Sequence, residues 1–327
     1  MPTEVRQLDT GKPHVVILGA GCSRAALPDG DANGLQLPLM QDFLQTVTPL
    51  RDLLERRGIS YEKRNFEEVY SDLAETSSSE ILEAAETIIH DYFSSLVLPS
   101  QPTLYDHLLL SLRKKDVVAT FNWDPFLVQA FNRNSILRKF GPQLVFLHGN
   151  VMVAFCAKHS NQGPVGNCCP VCGEPLKRSK LLYPIKSKNY DEDALISVSW
   201  RQLRSDLAAA FMVTIFGYGA PASDVEAVKL LKEGVGARKP LNMIEIIDTK
   251  PREQLYDTWE PFIQVHNYHY KIHANFEQSW IARHPRRTYE AYIRQYLKGE
   301  WLSDERIPAG AGSSDLQKWA SGLIESE

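Results

Sequence analysis

Apolar, β-branched runs recur along the chain at His14–Leu18 (HVVIL), Asp116–Phe121 (DVVATF), Leu144–Leu147 (LVFL), Phe211–Phe216 (FMVTIF) and Met243–Ile247 (MIEII). Most are apolar throughout rather than alternating, the pattern of strands buried on both faces. Between them the period changes to that of helices. From Leu37 to Lys115 the best of these places Ile81, Leu82, Ala85, Ile88, Ile89, Tyr92 and Phe93 on one face, behind the capping serines Ser77 to Ser79. Further helices are expected at Trp200–Ala210, Val225–Glu233 and Thr288–Leu297. Strands alternating with helices predict an α/β protein: a Rossmann-like parallel sheet covered by helices on both faces.

The C-terminal part of the chain breaks this rhythm. Beyond Pro251 the chain becomes aromatic and histidine-rich, and Pro308–Ser314 (PAGAGSS) reads as a flexible linker. After it, Leu316, Trp319, Ala320, Leu323 and Ile324 form one apolar stripe at helical spacing. So short a helix is marginal alone and must dock, on its own domain or on a partner. His266, His269 and His273 share helical spacing, but their segment favours a strand, so no metal face is expected there. Arg283-His284-Pro285-Arg286-Arg287 reads as a solvated basic turn or an interface with an acidic partner.

Composition narrows the class of function. The 327 residues carry 36 Lys+Arg against 40 Asp+Glu, a net charge of -4. This argues against direct nucleic-acid binding, which needs surplus cations. No apolar run approaches the roughly 18–20 residues that span a bilayer, and the first residues lack the apolar core of a secretory signal. Five cysteines, with Cys22 alone and the rest crowded between Cys156 and Cys172, suit a reduced, cytoplasmic compartment better than a disulfide framework.

That cysteine cluster carries the most specific motif. Cys156-x2-His159 is followed by Cys169-Pro170-Val171-Cys172-Gly173. Each two-residue spacer lets one tight turn aim two ligands at a single ion, and four protein ligands leave no open position. A structural zinc held by Cys156, His159, Cys169 and Cys172 is expected, with Cys168 as the alternative to His159. The fold class therefore includes a small helical and zinc-binding module beside the sheet.

Chemistry is also expected at the strand ends. Gly19-Ala20-Gly21 and Gly217-Tyr218-Gly219 each follow an apolar strand, where glycine permits close backbone approach to a phosphate. Asp248 ends another strand, where a carboxylate can accept hydrogen bonds from a ribose diol. Thr120-Phe121-Asn122-Trp123-Asp124 and Leu147-His148-Gly149 close two more, bringing an amide, a carboxylate and an imidazole to the same edge.

These residues resemble the sirtuins, the silent information regulator family of NAD-consuming enzymes. The matching elements are Gly19-Ala20-Gly21-Cys22-Ser23 with Pro28-Asp29, then Thr120 to Asp124, His148-Gly149, the metal knuckle, and Gly217-Tyr218-Gly219 with Asp224, in family order. The resemblance implies NAD bound between the sheet and the smaller module, touched by Gly19, Ala20, Gly21, Ser23, Asp29, Gly217, Gly219 and Asp248. It implies that Asn122 and Asp124 hold the nicotinamide ribose and carboxamide, and that His148 is the general base. Protein-deacylating sirtuins continue Pro-Asp with Phe-Arg, whereas this chain has Pro28-Asp29-Gly30-Asp31. Where they carry an apolar tunnel segment, it has Leu181-Leu182-Tyr183-Pro184-Ile185-Lys186-Ser187-Lys188.

The whole is more similar to the divergent bacterial sirtuin-like proteins of anti-phage defence, which hydrolyse NAD. That likeness implies a homo-oligomer gated by a partner such as a HerA-type ATPase, an Argonaute-like protein or another sensor subunit. The alternatives are an NAD-dependent deacylase or ADP-ribosyltransferase, and a non-catalytic NAD- or ADP-ribose-binding scaffold. The expected organisation is a Rossmann-like domain in three pieces (1–36, 116–155, 181–250), interrupted by a helical module at 37–115 and the knuckle at 156–180. An extension at 251–327, expected to make assembly contacts, completes the chain.

Overall fold

The computed structural model describes residues 12–184, 193–220, 224–236, 243–263 and 269–327. Strands β1 (His14–Leu18), β2 (Val117–Thr120) and β3 (Gln143–Phe146) form where the first apolar runs fall. Small strands β4 (Val153–Phe155), β5 (Gln162–Pro164) and β6 (Lys177–Arg178) follow, then β7 (Met212–Phe216), β8 (Met243–Ile247) and β9 (His269–His273). The main sheet has the order β3-β2-β1-β7-β8-β9, and every pair in it is parallel. Counting its strands along the chain gives the order 3-2-1-4-5-6 of doubly wound dinucleotide-binding sheets. β4, β5 and β6 make a separate antiparallel sheet in the order β5-β4-β6. β9 carries the main sheet beyond residue 250, past the expected end of the sheet domain.

Helix α1 (Ala20–Ala26) leaves β1 directly. The helical module follows as α2 (Phe43–Thr46), α3 (Thr48–Arg56), α4 (Phe66–Thr76), α5 (Ser79–Ser94) and α6 (Leu104–Leu110). Next come α7 (Phe126–Arg133), α8 (Leu137–Phe140), α9 (Ala194–Ala209), α10 (Val225–Gly236) and α11 (Arg252–Ile263). Alternation along β1 divides the interior in two. Val16 and Leu18 join the core beneath the helical module, while Val15 and Ile17 join Trp200, Leu203, Leu207 and Trp259 on the other face. Two-sided burial is why these strands read as unbroken apolar runs. No described helix is long and apolar enough to cross a membrane.

The extension is built into the same body. After β9 come α12 (Trp280–Arg283), α13 (Thr288–Tyr292) and α14 (Ser313–Glu325). Trp280, Tyr289 and Tyr292 pack with Phe211, Met212 and Met243 in a third core. Leu316 and Ala320 of α14 are buried in the core beneath the helical module, so this helix docks on its own domain. The basic turn at 283–287 is not solvated, which corrects the expectation for it. His284 and Arg286 are buried, and the Arg286 guanidinium donates to Leu112 O at 2.7 Å and Phe140 O at 3.1 Å while pairing with Glu327. A buried cation here is a tether for helix ends and chain, its charge balanced by Glu327. Of the three histidines at helical spacing in the extension, His266 lies outside the described residues, and His273 points Nε2 at Glu245 Oε1, 3.1 Å away.

Glu245 is wholly buried in the middle of β8. Its carboxylate accepts the Trp280 backbone N–H at 2.7 Å and the Thr214 hydroxyl at 3.0 Å, beside His273. Thr214 Oγ1 in turn lies 2.8 Å from His14 Nε2. Removing the carboxylate orphans several buried donors at once. Glu245→Ala is expected to lower stability by about 3–5 kcal/mol, and Glu245→Gln, which keeps an acceptor, by less. Urea unfolding of the three proteins checks the order.

Candidate active site and metal centre

Five loops leave the C-terminal ends of β1, β2, β3, β7 and β8, and they carry the residues singled out in the sequence. The sheet's connections run outward in opposite directions from β1 and β7, so the crevice between those strand ends is the topological switch point where open α/β sheets bind ligands. Two glycine turns interlock there. Gly19 N–H donates to Phe216 O and Gly21 N–H to Gly217 O, each at 3.0 Å. A β-carbon on Gly19 would lie 2.6 Å from Gly217 O, and one on Gly21 2.8 Å from Gly217 Cα. Gly217 itself has φ +62°, which favours glycine. The glycines thus let two backbones touch, and two of the N–H groups expected to face a phosphate are spent on that contact. Ala20 is exposed beside them.

Beneath this loop lies a buried polar cluster. Asn122 Nδ2 donates to Gly19 O at 3.0 Å and to Ser23 Oγ at 2.9 Å. Ser23 Oγ lies 2.6 Å from Asp124 Oδ2 and 2.7 Å from the Tyr105 hydroxyl. Asp124 Oδ1 accepts the Phe126 N–H at 3.2 Å, and Asn150 Nδ2 donates to Asp124 O at 2.7 Å. Burial pushes the Asp124 carboxyl up to about 6, against the hydrogen bond from Ser23, which favours its charge. Burial also raises the neighbouring Cys22 thiol, so Cys22 is a neutral space-filler and no nucleophile.

His148 closes β3 on the far side of Asn122. Phe121 meets its ring edge-on at 4.7 Å and stacks on Tyr218 at 4.0 Å. His148 Nε2 lies 4.0 Å from Asp224 Oδ1, and the Tyr218 hydroxyl donates to Asp224 Oδ2 at 3.1 Å. All three polar groups are buried. Gly149, with φ +78°, has no room for a β-carbon against Lys180 O, so the turn after His148 is fixed by the segment leaving the knuckle. Leu182 N–H donates to His148 O at 2.9 Å, a second tie to that segment.

Not every expected residue joins this cluster. Asp29 is exposed, and the buried carboxylate of its loop is Asp31, which accepts the N–H groups of Asn33 at 2.8 Å and of Leu35 and Val97 at 2.9 Å. Asp248 sits partly exposed at the end of β8 and takes the Lys250 N–H at 3.0 Å. Gly219 faces the Lys250 ammonium, which lies 3.0 Å from where a β-carbon would stand. Tyr105 and Asp31 had no sequence signal as site residues. Tyr105 looks like any aromatic on a helix, and only folding brings it against Ser23.

The metal ligands converge. Sγ of Cys156 lies 3.5 Å from His159 Nδ1 and 3.7 Å from Cys172 Sγ, and Cys169 Sγ lies 3.7 Å from His159 Nδ1. All four ligand atoms fall within 4.8 Å of one another. A tetrahedral zinc with ordinary bond lengths sets sulfurs about 3.8 Å apart and sulfur and nitrogen about 3.6 Å apart. The donor set therefore fits zinc without rearrangement, with His159 in the fourth place. Cys168 is exposed and outside the group.

No family model matches the chain, and no curated protein does. Among solved structures, it is similar to a Sir2 homologue in complex with NAD, at 15% identity and a TM-score of 0.44, over 91% of this chain and 95% of that one. It is also similar to a mutant Sir2 homologue bound to ADP-ribose, at 12% identity and a TM-score of 0.43, over 100% of this chain and 99% of that one. The fold class follows from strand order and register.

Proposed function

We propose that this chain binds NAD in the crevice between the ends of β1 and β7 and cleaves its nicotinamide–ribose bond, with water as acceptor. The observation that carries the reading is the convergence of Gly19, Ser23, Asn122, Asp124 and Gly217 in one bonded cluster, with His148 held on the next strand end. Ser23, Asn122, Asp124 and His148 are residues that the sirtuin resemblance marks for NAD.

Cleavage leaves the bonding electron pair on the nicotinamide nitrogen, which becomes neutral, and positive charge on the ribose ring. Buried Asp124 supplies a fixed negative charge nearby, and an anion in a low-dielectric setting stabilises such a centre more than it would in water. His148 takes a proton from the attacking water or a ribose hydroxyl, the work of a general base. Ala20, Gly219 and Asp248 remain candidates for the pyrophosphate and adenosine side. Zinc, held by Cys156, His159, Cys169 and Cys172, braces the segment that returns to Gly149 and His148.

The reading extends to a defence effector that drains NAD under the control of a partner subunit, in a homo-oligomer. It rests on the resemblance alone. Deacylation is the rival. With NAD and an acetyl-lysine peptide together, the hydrolase reading expects ADP-ribose in the same yield with or without peptide. Deacetylated peptide formed one-for-one with NAD consumed would overturn it.

A further inference from the structure

The hydrogen bonds around Ser23 have one consistent direction. Gly19 O can only accept, so the Asn122 side-chain atom 3.0 Å from it is an N–H. The second amide hydrogen goes to Ser23 Oγ at 2.9 Å. Both hydrogens are then spent inward, and Oδ1, an acceptor, is the atom left for the cleft. Ser23 has a single hydrogen, and its neighbours are Asp124 Oδ2 at 2.6 Å and the Tyr105 hydroxyl at 2.7 Å. If Asp124 were the donor to Ser23 and Ser23 the donor to Tyr105, the Tyr105 hydrogen would be left with the Asn122 amide, 3.4 Å away and itself a donor, and the Cys22 sulfur, a weak acceptor. The other direction satisfies every group: Tyr105 donates to Ser23, and Ser23 donates to Asp124.

We propose that Tyr105 is a positioning residue of this site. Its hydroxyl fixes the Ser23 proton on Asp124, which keeps Asp124 an anion and holds Asn122 with its oxygen toward the ligand. An acceptor at that place orients a hydroxyl-bearing nucleophile, which makes water the partner of the reacting carbon. This deepens the NAD-cleaving reading and rests on it for the identity of the ligand.

The groups facing the Asp124 carboxyl are Ser23 and Cys22 from α1, Tyr105 from α6, and the backbone N–H groups of Phe126 and of Asp124 itself, while the Asn150 side chain bonds to the Asp124 backbone carbonyl. None of these side chains is cationic, so hydrogen bonds favour the anion against burial. A hydroxyl that accepts a hydrogen bond is a better donor, so losing Tyr105 weakens the Ser23 bond to Asp124 and favours the protonated acid.

The test is Tyr105→Phe beside site-specific 3-fluorotyrosine at position 105, a stronger donor in the same shape. The titration of Asp124 is followed in the ligand-free protein by infrared difference spectroscopy, with Asp124→Asn identifying its band. The pH profile of kcat for NAD cleavage is measured in parallel. In Tyr105→Phe the Asp124 titration and the acid limb of kcat move up by about half a pH unit or more, so kcat falls about threefold or more on the acid side and less at pH 7, with KM little changed. Fluorotyrosine moves both downward. Asp124 titrating at one pH in all three proteins would overturn the proposal. If the titration moves as expected but wild-type protein leaves NAD intact, the hydrogen-bond chain stands and the NAD-cleaving reading falls.

Discussion

His148→Ala is expected to lower the rate of NAD cleavage by about two to four orders of magnitude, the usual contribution of a positioned general base, while the protein stays folded. The imidazole is buried, with the Phe121 edge and the Asp224 carboxylate at 4.0 Å among its contacts. Its main-chain ties, Leu182 N–H on the carbonyl and the tight turn at Gly149, survive the substitution. NAD affinity should therefore change far less than turnover, because the glycine turns and the Asn122 cluster lie on other strands. Turnover and NAD affinity measured on the same protein separate the two. A variant that binds and cleaves NAD like wild type would remove His148 from the mechanism.

Removing zinc is expected to unfold the knuckle and leave the main sheet standing. The apolar interior of the knuckle is small: Ala154, Cys156, Cys169 and Leu176, with Val165 and Cys172 at its margin. Two of its buried members are ligands, so without the metal little remains to hold β4, β5 and β6 together. Structural zinc in small domains contributes about 10–16 kcal/mol, far more than such a core can supply. The main sheet has three cores of its own. Cys169→Ser, or chelation of the native protein, should bring metal content from one zinc per chain to none and open residues 156–180 to protease. Activity should fall as well, since Ser179, Lys180 and Leu182 bear on Asn150, Gly149 and His148. A purified chain without zinc whose knuckle resists protease would contradict this account.

The predicted strands could be found from sequence because β1, β2, β7 and β8 are buried on both sides, and edge strand β3 is buried over its second half. β1 and β8 fall where their apolar runs do, and β2, β3 and β7 differ by a residue or two at their ends. β4, β5 and β6 were hidden, for they are two or three residues long and polar where exposed. β9 falls in a segment that reads as strand-favouring, but its place in the sheet was not legible, since the partner of His273, Glu245, lies on another strand. The same blindness applies to the basic turn. Arg286 looks solvated until Glu327 and the carbonyls of Leu112 and Phe140 close around it.

For the site, sequence showed which strand ends bear chemistry, because glycines and polar residues directly after apolar runs stand out. It could not show how those groups are shared. Asn122 and Asp124 are partly occupied in bracing the Gly19 loop, and that rests on distances to Ser23 and Tyr105 that no spacing encodes. The choice between His159 and Cys168 was likewise beyond the motif, and the ligand geometry favours His159.

The most direct measurement is proton NMR of millimolar NAD incubated with the purified chain, beside Asn122→Ala. The account predicts nicotinamide and ADP-ribose appearing in equal amounts as NAD disappears, with both lost in the variant. NAD that binds and stays intact, or nicotinamide release undiminished by Asn122→Ala, would contradict it.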